Sequence, residues 1–338
     1  MTGTILVTGG SGYIAGFLIR ELVRTGWTVR TTIRDMAREA GVRATLGIDD
    51  AKLSFFPADL MDDAGWAEAM TGCSHVAHLA SPFPPGVPRD EDELIEPARE
   101  GALRALRFAR EAGVSRFVMT SSVAAIAYGH GGSDRAFTEA DWTDVDAPGV
   151  AAYVKSKTIA ERAARDWMAA NGSGMEFVSV NPSAVLGPVL GSDFSASIDL
   201  VHKLIDGSFP GTPDLGFAIV DVRDLAELHV RALTTPGIDG DRFIGAGRFM
   251  KLNEIARVLR ARLGPEARKV PSRNLPNWLV RLIARFNPLV RAIVPELGNV
   301  RRVDAGHAES VLGWKTRSEE DSIVDTARSL IDRGIVKV

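Results

Sequence analysis

The sequence has a single cysteine, three tyrosines and no long apolar run. Cys73 has no partner within the chain, which excludes an intrachain disulfide and is typical of a reducing compartment. No stretch approaches the roughly 18 apolar residues that a membrane-spanning helix needs, and the N-terminus lacks the basic and apolar segments of a signal peptide. We therefore expect a cytoplasmic protein without membrane insertion.

The net charge of the chain does not indicate a macromolecular partner. A net charge of −3 over 338 residues gives no reason to expect nucleic acid as a partner. The six histidines form no cluster with ligand spacing, so we expect no metal site. A composition that is 45% hydrophobic and 25% charged indicates a globular protein with one large or two modest domains. We expect a small-molecule substrate and a monomer or homodimer.

Short β-branched runs alternate with helical patterns through the first half of the chain. The predicted strands are Thr4–Thr8, Val29–Ile33, Leu53–Phe56, His75–Leu79, Phe117–Thr120 and Phe177–Val180. Helical spacing of apolar residues lies between them, most clearly in 12–25, 94–112 and 151–170. Such alternation predicts an α/β fold with a doubly wound parallel sheet of the Rossmann type, which binds ligands beyond the carboxyl ends of its strands.

The pattern changes after Asn181, where Gly, Pro and Ser become frequent. We expect a dinucleotide-binding Rossmann domain over 1–182, with 217–248 returning to it. Residues 183–216 and 249–338 would form a smaller, mostly helical substrate-binding domain. Within the second segment, 278–286 reads as a basic amphipathic helix. Such a helix could touch a membrane surface, but the absence of net positive charge favours packing within the substrate domain.

A glycine-rich turn joins the first strand to the first helix. Gly9 and Gly12 let the backbone turn tightly and approach a pyrophosphate, and Ala15 supplies the small residue that helix–strand packing needs. The helix then begins near Tyr13 and Ile14, where N–H groups and a partial positive charge face the ligand. Because a strand precedes this turn and a helix follows it, the turn predicts a dinucleotide-binding site.

The end of the second strand indicates which dinucleotide binds. An NAD site places a carboxylate about 20 residues after the turn, but here Ile33 stands at that place and Arg34 follows. An arginine can pair with a 2′-phosphate, which favours NADP(H). Two alternatives stay open: Arg34 could be a solvated residue paired with Asp35, and Arg38 is a second candidate for the phosphate.

Two further residues follow the third strand. Asp59 and Leu60 stand just past its carboxyl end, where the adenine of a dinucleotide would lie. We therefore include both as candidate cofactor contacts. Asp59 could equally be a turn residue.

Tyr153 and Lys157 are one helical turn apart and would share a face. A free tyrosine has a pKa near 10, and a nearby ammonium lowers it by favouring the phenolate. Alone, the pair could be an ordinary helix face near solvent. Ser122, just past the fifth strand, changes this assessment, because a serine at that edge can donate a hydrogen bond to a substrate carbonyl.

These motifs together resemble one family. The chain is similar to the extended short-chain dehydrogenases/reductases, and more closely to their dihydroflavonol reductase, cinnamoyl-CoA reductase and yeast-type aldehyde/ketone reductase branch. The resemblance covers roughly the first 230 residues. Its matching stretches are Val7–Ala15, Thr31–Asp35, Met119–Ala124, Tyr153–Glu161, Asn181–Pro188 and Val220–Ala226.

The resemblance implies a role for each matching residue. Tyr153 would be the general acid, Lys157 its activator and Ser122 the carbonyl-orienting serine, in preference to Ser121. The implied cofactor contacts are Gly9, Gly12 and Ala15 at the pyrophosphate, Arg34 at the 2′-phosphate, Ala80 and Ser81 after the fourth strand, and Pro182 and Val185 beside the nicotinamide. We expect NADPH-dependent reduction of an apolar aldehyde or ketone, with Phe83, Val123, Leu186 and Phe194 as pocket residues.

Three other functions remain possible on this fold. Nucleotide-sugar epimerases and dehydratases typically carry an arginine in the stretch after the sixth strand, whereas 178–188 is apolar and has none. A hydroxysteroid dehydrogenase is a second alternative. A non-catalytic NADP-sensing protein would not need Ser122, Tyr153 and Lys157 together.

Overall fold

A seven-stranded sheet lies at the centre of the computed structural model, which describes residues 3–49, 51–82, 88–131, 135–191 and 194–337. The strands are β1 Thr4–Thr8, β2 Thr28–Ile33, β3 Leu53–Pro57, β4 His75–His78, β5 Arg116–Thr120, β6 Glu176–Pro182, β7 Ala184–Leu186, β8 Gly216–Asp221, β9 Arg242–Gly245 and β10 Phe249–Lys251. The sheet order is β3-β2-β1-β4-β5-β6-β9, with every pair parallel. This arrangement confirms the predicted doubly wound fold.

Helices cover both faces of this sheet and build most of the C-terminal part. They are α1 Tyr13–Arg24, α2 Glu39–Leu46, α3 Trp66–Met70, α4 Asp92–Glu111, α5 Ala152–Asn171, α6 Ala196–Ile205, α7 Val222–Thr234, α8 Leu252–Leu263, α9 Asn277–Ile283, α10 Pro288–Ile293, α11 Gly306–Leu312 and α12 Glu319–Asp332. Short 3₁₀ turns occupy Met36–Arg38, Val123–Ala125, Gly264–Ala267 and Val294–Glu296.

The sheet is buried on both sides, and successive residues of β1 show it. Ile5 and Val7 pack towards α1 and α7, whereas Leu6 packs towards α3 and α4. All three side chains are fully buried. Side chains alternate between the two faces of a strand, so a run of consecutive apolar residues is what a sheet covered on both faces requires.

A second, three-stranded sheet bears on the predicted division of the chain. We expected 217–248 to return to the nucleotide-binding part, but β8 pairs with β7 and β10 in the small sheet. Only the next two elements rejoin the large sheet: α7 packs against α1 and the central strands, and β9 pairs with β6. We therefore propose that 222–245, rather than all of 217–248, belongs with the dinucleotide-binding part.

The basic segment near residue 280 packs only in part. Val280 and Ala284 are buried, but Trp278 and Phe286 are 66% and 84% exposed. The prediction that this segment packs within the C-terminal part therefore holds for one of its faces only. In the described ranges, no helix is both long enough and apolar enough to cross a membrane.

Candidate active site

The glycine turn is shaped by close backbone approaches. Gly9 has a φ of +73°, and a Cβ atom there would lie 3.1 Å from the Cα atom of Ala80. Gly12 precedes α1 without a side-chain cap from the described residues, and its N–H donates to the Gly9 carbonyl at 2.9 Å. The first N–H groups of α1 therefore face the turn, as an anion site requires.

Gly10 contributes to the shape of the turn, a role that the sequence analysis did not predict. A Cβ atom there would meet the Thr31 hydroxyl oxygen at 2.1 Å, and that hydroxyl donates to the Val7 carbonyl at 2.7 Å. Gly10 thus lets the turn lie directly on β2. The only feature of the sequence that pointed to Gly10 was its position within the glycine-rich turn.

A buried hydroxyl ties the glycine turn to the loop after β4. Thr8 Oγ1 accepts hydrogen bonds from the N–H groups of Leu79 and Ala80, at 3.0 and 2.9 Å. With both lone pairs occupied, it donates to His78 Nδ1 at 3.0 Å, so the His78 proton lies on Nε2. Burial, and secondarily Lys157, lowers the pKa of His78 to about 3. His78 is therefore a neutral residue that ties the two loops together.

Two adjoining cavities surround this turn. One cavity has a volume of about 520 Å³ and is lined by residues that we predicted to contact the cofactor, to act in catalysis or to bind the substrate. They are Gly9, Gly12, Tyr13, Ile14, Ala15, Ser81, Ser122, Tyr153, Lys157, Pro182, Val185 and Phe194. The other, of about 700 Å³, is lined by Gly9, Gly12, Arg34, Asp59, Leu60, Ala80 and Ser81. Because they share the glycine turn and Ser81, the two form one extended cleft along the carboxyl edge of the sheet.

Arg34 lies at the end of this cleft and is exposed. Its neighbour Asp35 does not pair with it: the Asp35 carboxylate accepts from the Ala37 N–H at 2.9 Å and caps the turn Met36–Arg38. Within the described part of the chain, Arg34 has no ion-pair partner. Arg38, the second candidate, lines the 520 Å³ cavity. The alternative in which Arg34 pairs with Asp35 is therefore not what the structure shows.

Asp59 acts as a turn residue, the alternative left open. Its carboxylate accepts from the Met61 N–H at 2.8 Å, and its carbonyl accepts from the Trp66 indole at 2.8 Å. Asp59 and Leu60 nonetheless line the 700 Å³ cavity. Asp59 can therefore act as a turn residue and still line the cleft beside Leu60.

The predicted catalytic side chains meet at the carboxyl end of β5. Ser122 caps the turn Val123–Ala125, its Oγ accepting from the Ala124 N–H at 3.1 Å. The Tyr153 phenol is hydrogen-bonded with the Ser122 hydroxyl, and Lys157 follows one turn along α5. The neighbouring Ser121 instead donates to the Glu161 carboxylate at 2.5 Å. This arrangement favours Ser122 over Ser121 for contact with a ligand.

Burial dominates the pKa values of this group. It raises the pKa of Tyr153, and the hydrogen bond with Ser122 opposes that rise. It lowers the pKa of Lys157 to about 8, and the charge of Glu161 opposes that fall. We expected a nearby ammonium to lower the pKa of Tyr153, but in the protein alone desolvation of the phenol is the largest effect and raises that pKa.

Glu161, one further turn along α5, is a residue whose role the sequence analysis missed. It is fully buried and accepts hydrogen bonds from Arg242 Nε at 2.8 Å, Ser179 at 2.8 Å and Asn181 at 2.8 Å. Asn181 also donates to the Ser122 carbonyl at 3.1 Å. Burial acts to raise the pKa of Glu161, but Arg242 and its other partners lower it on balance. Only its place in the Tyr153–Glu161 stretch pointed to it.

The four residues predicted to bind the substrate lie in different environments. Phe194 lines the 520 Å³ cavity, and Phe83 lies outside the described residues. Leu186 is 2% exposed and packs in the core, because it points away from its cavity-lining neighbour Val185 on β7. Val123 is partly buried and packs against a separate apolar cluster. Among the described residues that line the 520 Å³ cavity, neither Leu186 nor Val123 is found, so we do not propose either as a substrate contact.

The described residues contain no group of three or more His, Cys, Asp or Glu side chains that could hold a metal ion. The lone thiol does not belong to the site either. Cys73 is buried before β4, where burial raises its pKa to about 11. A thiol in that state is a packing residue rather than a nucleophile.

A family model and two known reductases match this chain over most of its length. The model of the NAD dependent epimerase/dehydratase family matches residues 5–243. Cinnamoyl-CoA reductase CAD2 of Medicago truncatula is 36% identical over 263 residues, 76% of this chain and 79% of that protein. Cinnamoyl-CoA reductase 1 of Arabidopsis thaliana is 33% identical over 336 residues, 98% of this chain and 90% of that protein.

A solved structure shares the fold over nearly the whole chain. Yeast methylglyoxal/isovaleraldehyde reductase Gre2, complexed with NADPH, superposes with a TM-score of 0.82 at 24% identity, covering 98% of this chain and 100% of that one. At that identity the likeness concerns the fold. The family match covers more than half of the chain, and the predicted resemblance is confirmed. The chain belongs to the NAD dependent epimerase/dehydratase family, within the extended short-chain dehydrogenases/reductases, beside the cinnamoyl-CoA reductases.

Proposed function

We propose that this protein reduces an apolar aldehyde or ketone to an alcohol with NADPH. The observation that carries the proposal is the meeting of Ser122, Tyr153 and Lys157 in one cavity with the glycine turn. The relatives include cinnamoyl-CoA and dihydroflavonol reductases, and Gre2 was crystallised with NADPH. These agree with the prediction of an oxidoreductase that acts on carbonyl groups and uses NADP(H).

The residues of the cleft fit this cofactor. Gly9 leaves open the space that a Cβ atom would fill, and the uncapped first turn of α1 presents N–H groups to a pyrophosphate. At the far end, the exposed Arg34 has the charge and fork geometry for a 2′-phosphate. We assign the pyrophosphate to Gly9 and Gly12, the ribose phosphate to Arg34, and the nicotinamide side to Pro182 and Val185.

When bound, NADPH supplies the hydride that reduces the carbonyl carbon. The residues of the chain handle the charge that develops on the oxygen. Ser122 donates a hydrogen bond to that oxygen, and Tyr153 transfers its phenolic proton to it, so that the product is a neutral alcohol. Lys157 stabilises the phenolate left on Tyr153.

The protonation state of Lys157 suits this role. With a pKa of about 8, the ammonium form predominates at neutral pH. Burial makes ionisation of Tyr153 costly without a cation nearby. We infer that the lysine charge is most effective when the site is filled and water is excluded, because charges interact more strongly in a dry environment.

The cavity walls favour an apolar substrate. Val185, Phe194 and Pro182 line one side of the 520 Å³ cavity, and Leu79 and Ile14 line it as well. The test is a panel of aromatic and aliphatic aldehydes, ketones and acyl-CoA thioesters, followed by NADPH consumption. Turnover of an apolar carbonyl supports the proposal, and NADPH binding without turnover of any member would contradict it in favour of a sensing role.

A nucleotide-sugar epimerase or dehydratase is the second candidate, because the family model carries that description. The apolar stretch 178–188 argues against it, since it offers no arginine for a sugar nucleotide. Incubation with UDP- and dTDP-sugars distinguishes the two. Epimerised or dehydrated product, with no reduction of simple carbonyls, would replace our proposal with this one.

A further inference from the structure

We propose that the exposed face of α9 and α10 binds the surface of an anionic lipid bilayer. This docking face consists of the apolar side chains Trp278, Leu282, Ile283, Phe286 and Leu289 and the flanking Arg281 and Arg285. In the described ranges, five of the eight large apolar side chains that are conspicuously exposed belong to it. Concentrated apolar exposure of this kind marks an interaction surface.

The segment is held in place by its other face. Val280 and Ala284 are 2% and 6% exposed, and Val290 and Ile293 pack against the main core. Phe286 and Leu289, by contrast, are 84% and 59% exposed. The docking face is therefore the outer side of a segment whose inner side already packs against the rest of the protein.

The charge of the segment selects the occupant. Residues 270–295 contain four arginines and no acidic residue or lysine, a local charge of +4 in a chain whose net charge is −3. Arg281 and Arg285 are exposed and have no carboxylate partner in the part of the chain that the structure describes. Apolar aromatic side chains beside unpaired arginines are the composition of an interfacial element, with the rings at the headgroup level and the guanidinium groups on anionic lipids.

The same charge disfavours a second copy of the chain as the occupant. A two-fold interface brings the same patch together from both subunits, so the arginines of one face would meet those of the other. The electrostatic term opposes that contact but favours a negative bilayer surface. Peripheral binding of this kind needs no membrane-spanning helix.

The test is co-sedimentation of the full chain with vesicles of phosphatidylcholine alone and of phosphatidylcholine mixed with phosphatidylglycerol. We expect binding to the anionic vesicles only, and weakening as salt is added, since exposed charges are screened. Equal binding to both vesicle types, or to neither, would overturn the proposal.

Two pairs of substitutions separate the apolar and the charged parts. Arg281→Gln with Arg285→Gln should weaken binding about 25-fold at low salt, from about fivefold per arginine near an anionic surface. Trp278→Ser with Phe286→Ser should weaken binding at both low and high salt. The matched controls are Arg110→Gln with Arg257→Gln, and Val311→Ser, which change exposed residues elsewhere and should bind as wild type.

Two further measurements identify other occupants. Light scattering would reveal a dimer that Phe286→Ser abolishes, which would overturn the proposal in favour of a second copy. Turnover of a small water-soluble carbonyl should be the same in the variants and the wild type. A loss of that turnover would instead make the face part of the substrate site.

Discussion

The Glu161 carboxylate and the Arg242 guanidinium form a buried ion pair at 2.8 Å directly behind the predicted catalytic group. Glu161 follows Lys157 by one turn of α5, and Arg242 begins β9 at the edge of the large sheet. Arg242 also stacks on the Trp142 ring, with its Cζ atom 3.9 Å from the ring centroid. The pair therefore fixes the helix that carries Tyr153 and Lys157 against the last strand of the sheet.

Replacing Glu161 by glutamine tests whether this ion pair stabilises the fold and whether the Glu161 charge raises the pKa of Lys157. Removing one partner leaves Arg242 buried and uncompensated, so the free energy of unfolding should fall by about 3–5 kcal/mol. The charge that raises the pKa of Lys157 is also lost, so that pKa should fall below its wild-type value of about 8. Because activity needs the ammonium, the alkaline limb of kcat/KM for NADPH should move to lower pH.

Glu176→Gln is the matched control for Glu161→Gln. Glu176 pairs with Arg116 at 2.5 Å, but at the opposite, amino-terminal ends of β5 and β6. We expect this variant to keep the wild-type pH profile. An unshifted alkaline limb in Glu161→Gln, measured on protein shown to be folded by circular dichroism, would mean that Glu161 is only a structural residue.

Tyr153→Phe should abolish most of the reductase activity without disturbing the fold. The change removes one oxygen and keeps the ring, so the loss is that of general acid catalysis, at least about 100-fold in kcat. Lys157→Ala should reduce both kcat and NADPH affinity, and Ser122→Ala mainly kcat. The measurement is steady-state turnover at saturating NADPH, with Ser121→Ala for comparison. Unimpaired turnover by Tyr153→Phe would remove the tyrosine from the mechanism.

The sequence predicted the large sheet well because its signals are local. The consecutive apolar run Ile5 to Val7 and the glycine turn after it can each be recognised from a few neighbouring residues. The small sheet was missed because the consecutive apolar residues of β8 fit a strand of either sheet and do not identify its partner. Glu161 was missed as well, because its partner Arg242 lies 81 residues away. For Leu186 a local signal was available and was not used, because strand alternation next to Val185 directs its side chain to the other face of β7, where it is buried in the core.

Arg34→Ala should weaken NADPH binding selectively. The guanidinium is exposed at the end of the cleft and can pair with a 2′-phosphate, so losing that charge-assisted pair should cost about 1–3 kcal/mol. NADH lacks this phosphate, and its affinity should change little. Fluorescence titration with both cofactors gives the two dissociation constants.

Arg38→Ala serves as the comparison for Arg34→Ala, because Arg38 lines the same cleft. A larger loss of NADPH affinity in Arg38→Ala than in Arg34→Ala would transfer the phosphate contact to Arg38. Equal affinity of the wild type for NADH and NADPH would refute the assignment to either arginine.

Two buried histidines should make the protein acid-sensitive. Burial lowers the pKa of His78 to about 3 and that of His229 to about 4. His229 Nδ1 donates to the Leu225 carbonyl at 2.8 Å, so its Nε2 accepts from the Thr120 hydroxyl at 2.8 Å, and protonation would break that contact. In the unfolded chain both histidines take up protons near pH 6.5.

Below pH 6.5 the unfolded state therefore binds more protons than the native state, and the native state loses stability as the pH falls towards about 4. Between pH 7 and pH 5 the two histidines together should cost about 4 kcal/mol of unfolding free energy. Urea unfolding followed by circular dichroism at a series of pH values measures this slope. His78→Asn or His229→Gln should each reduce this loss by about 2 kcal/mol, whatever the variant's absolute stability. A wild-type slope that survives in the double variant would mean that other groups cause the acid sensitivity.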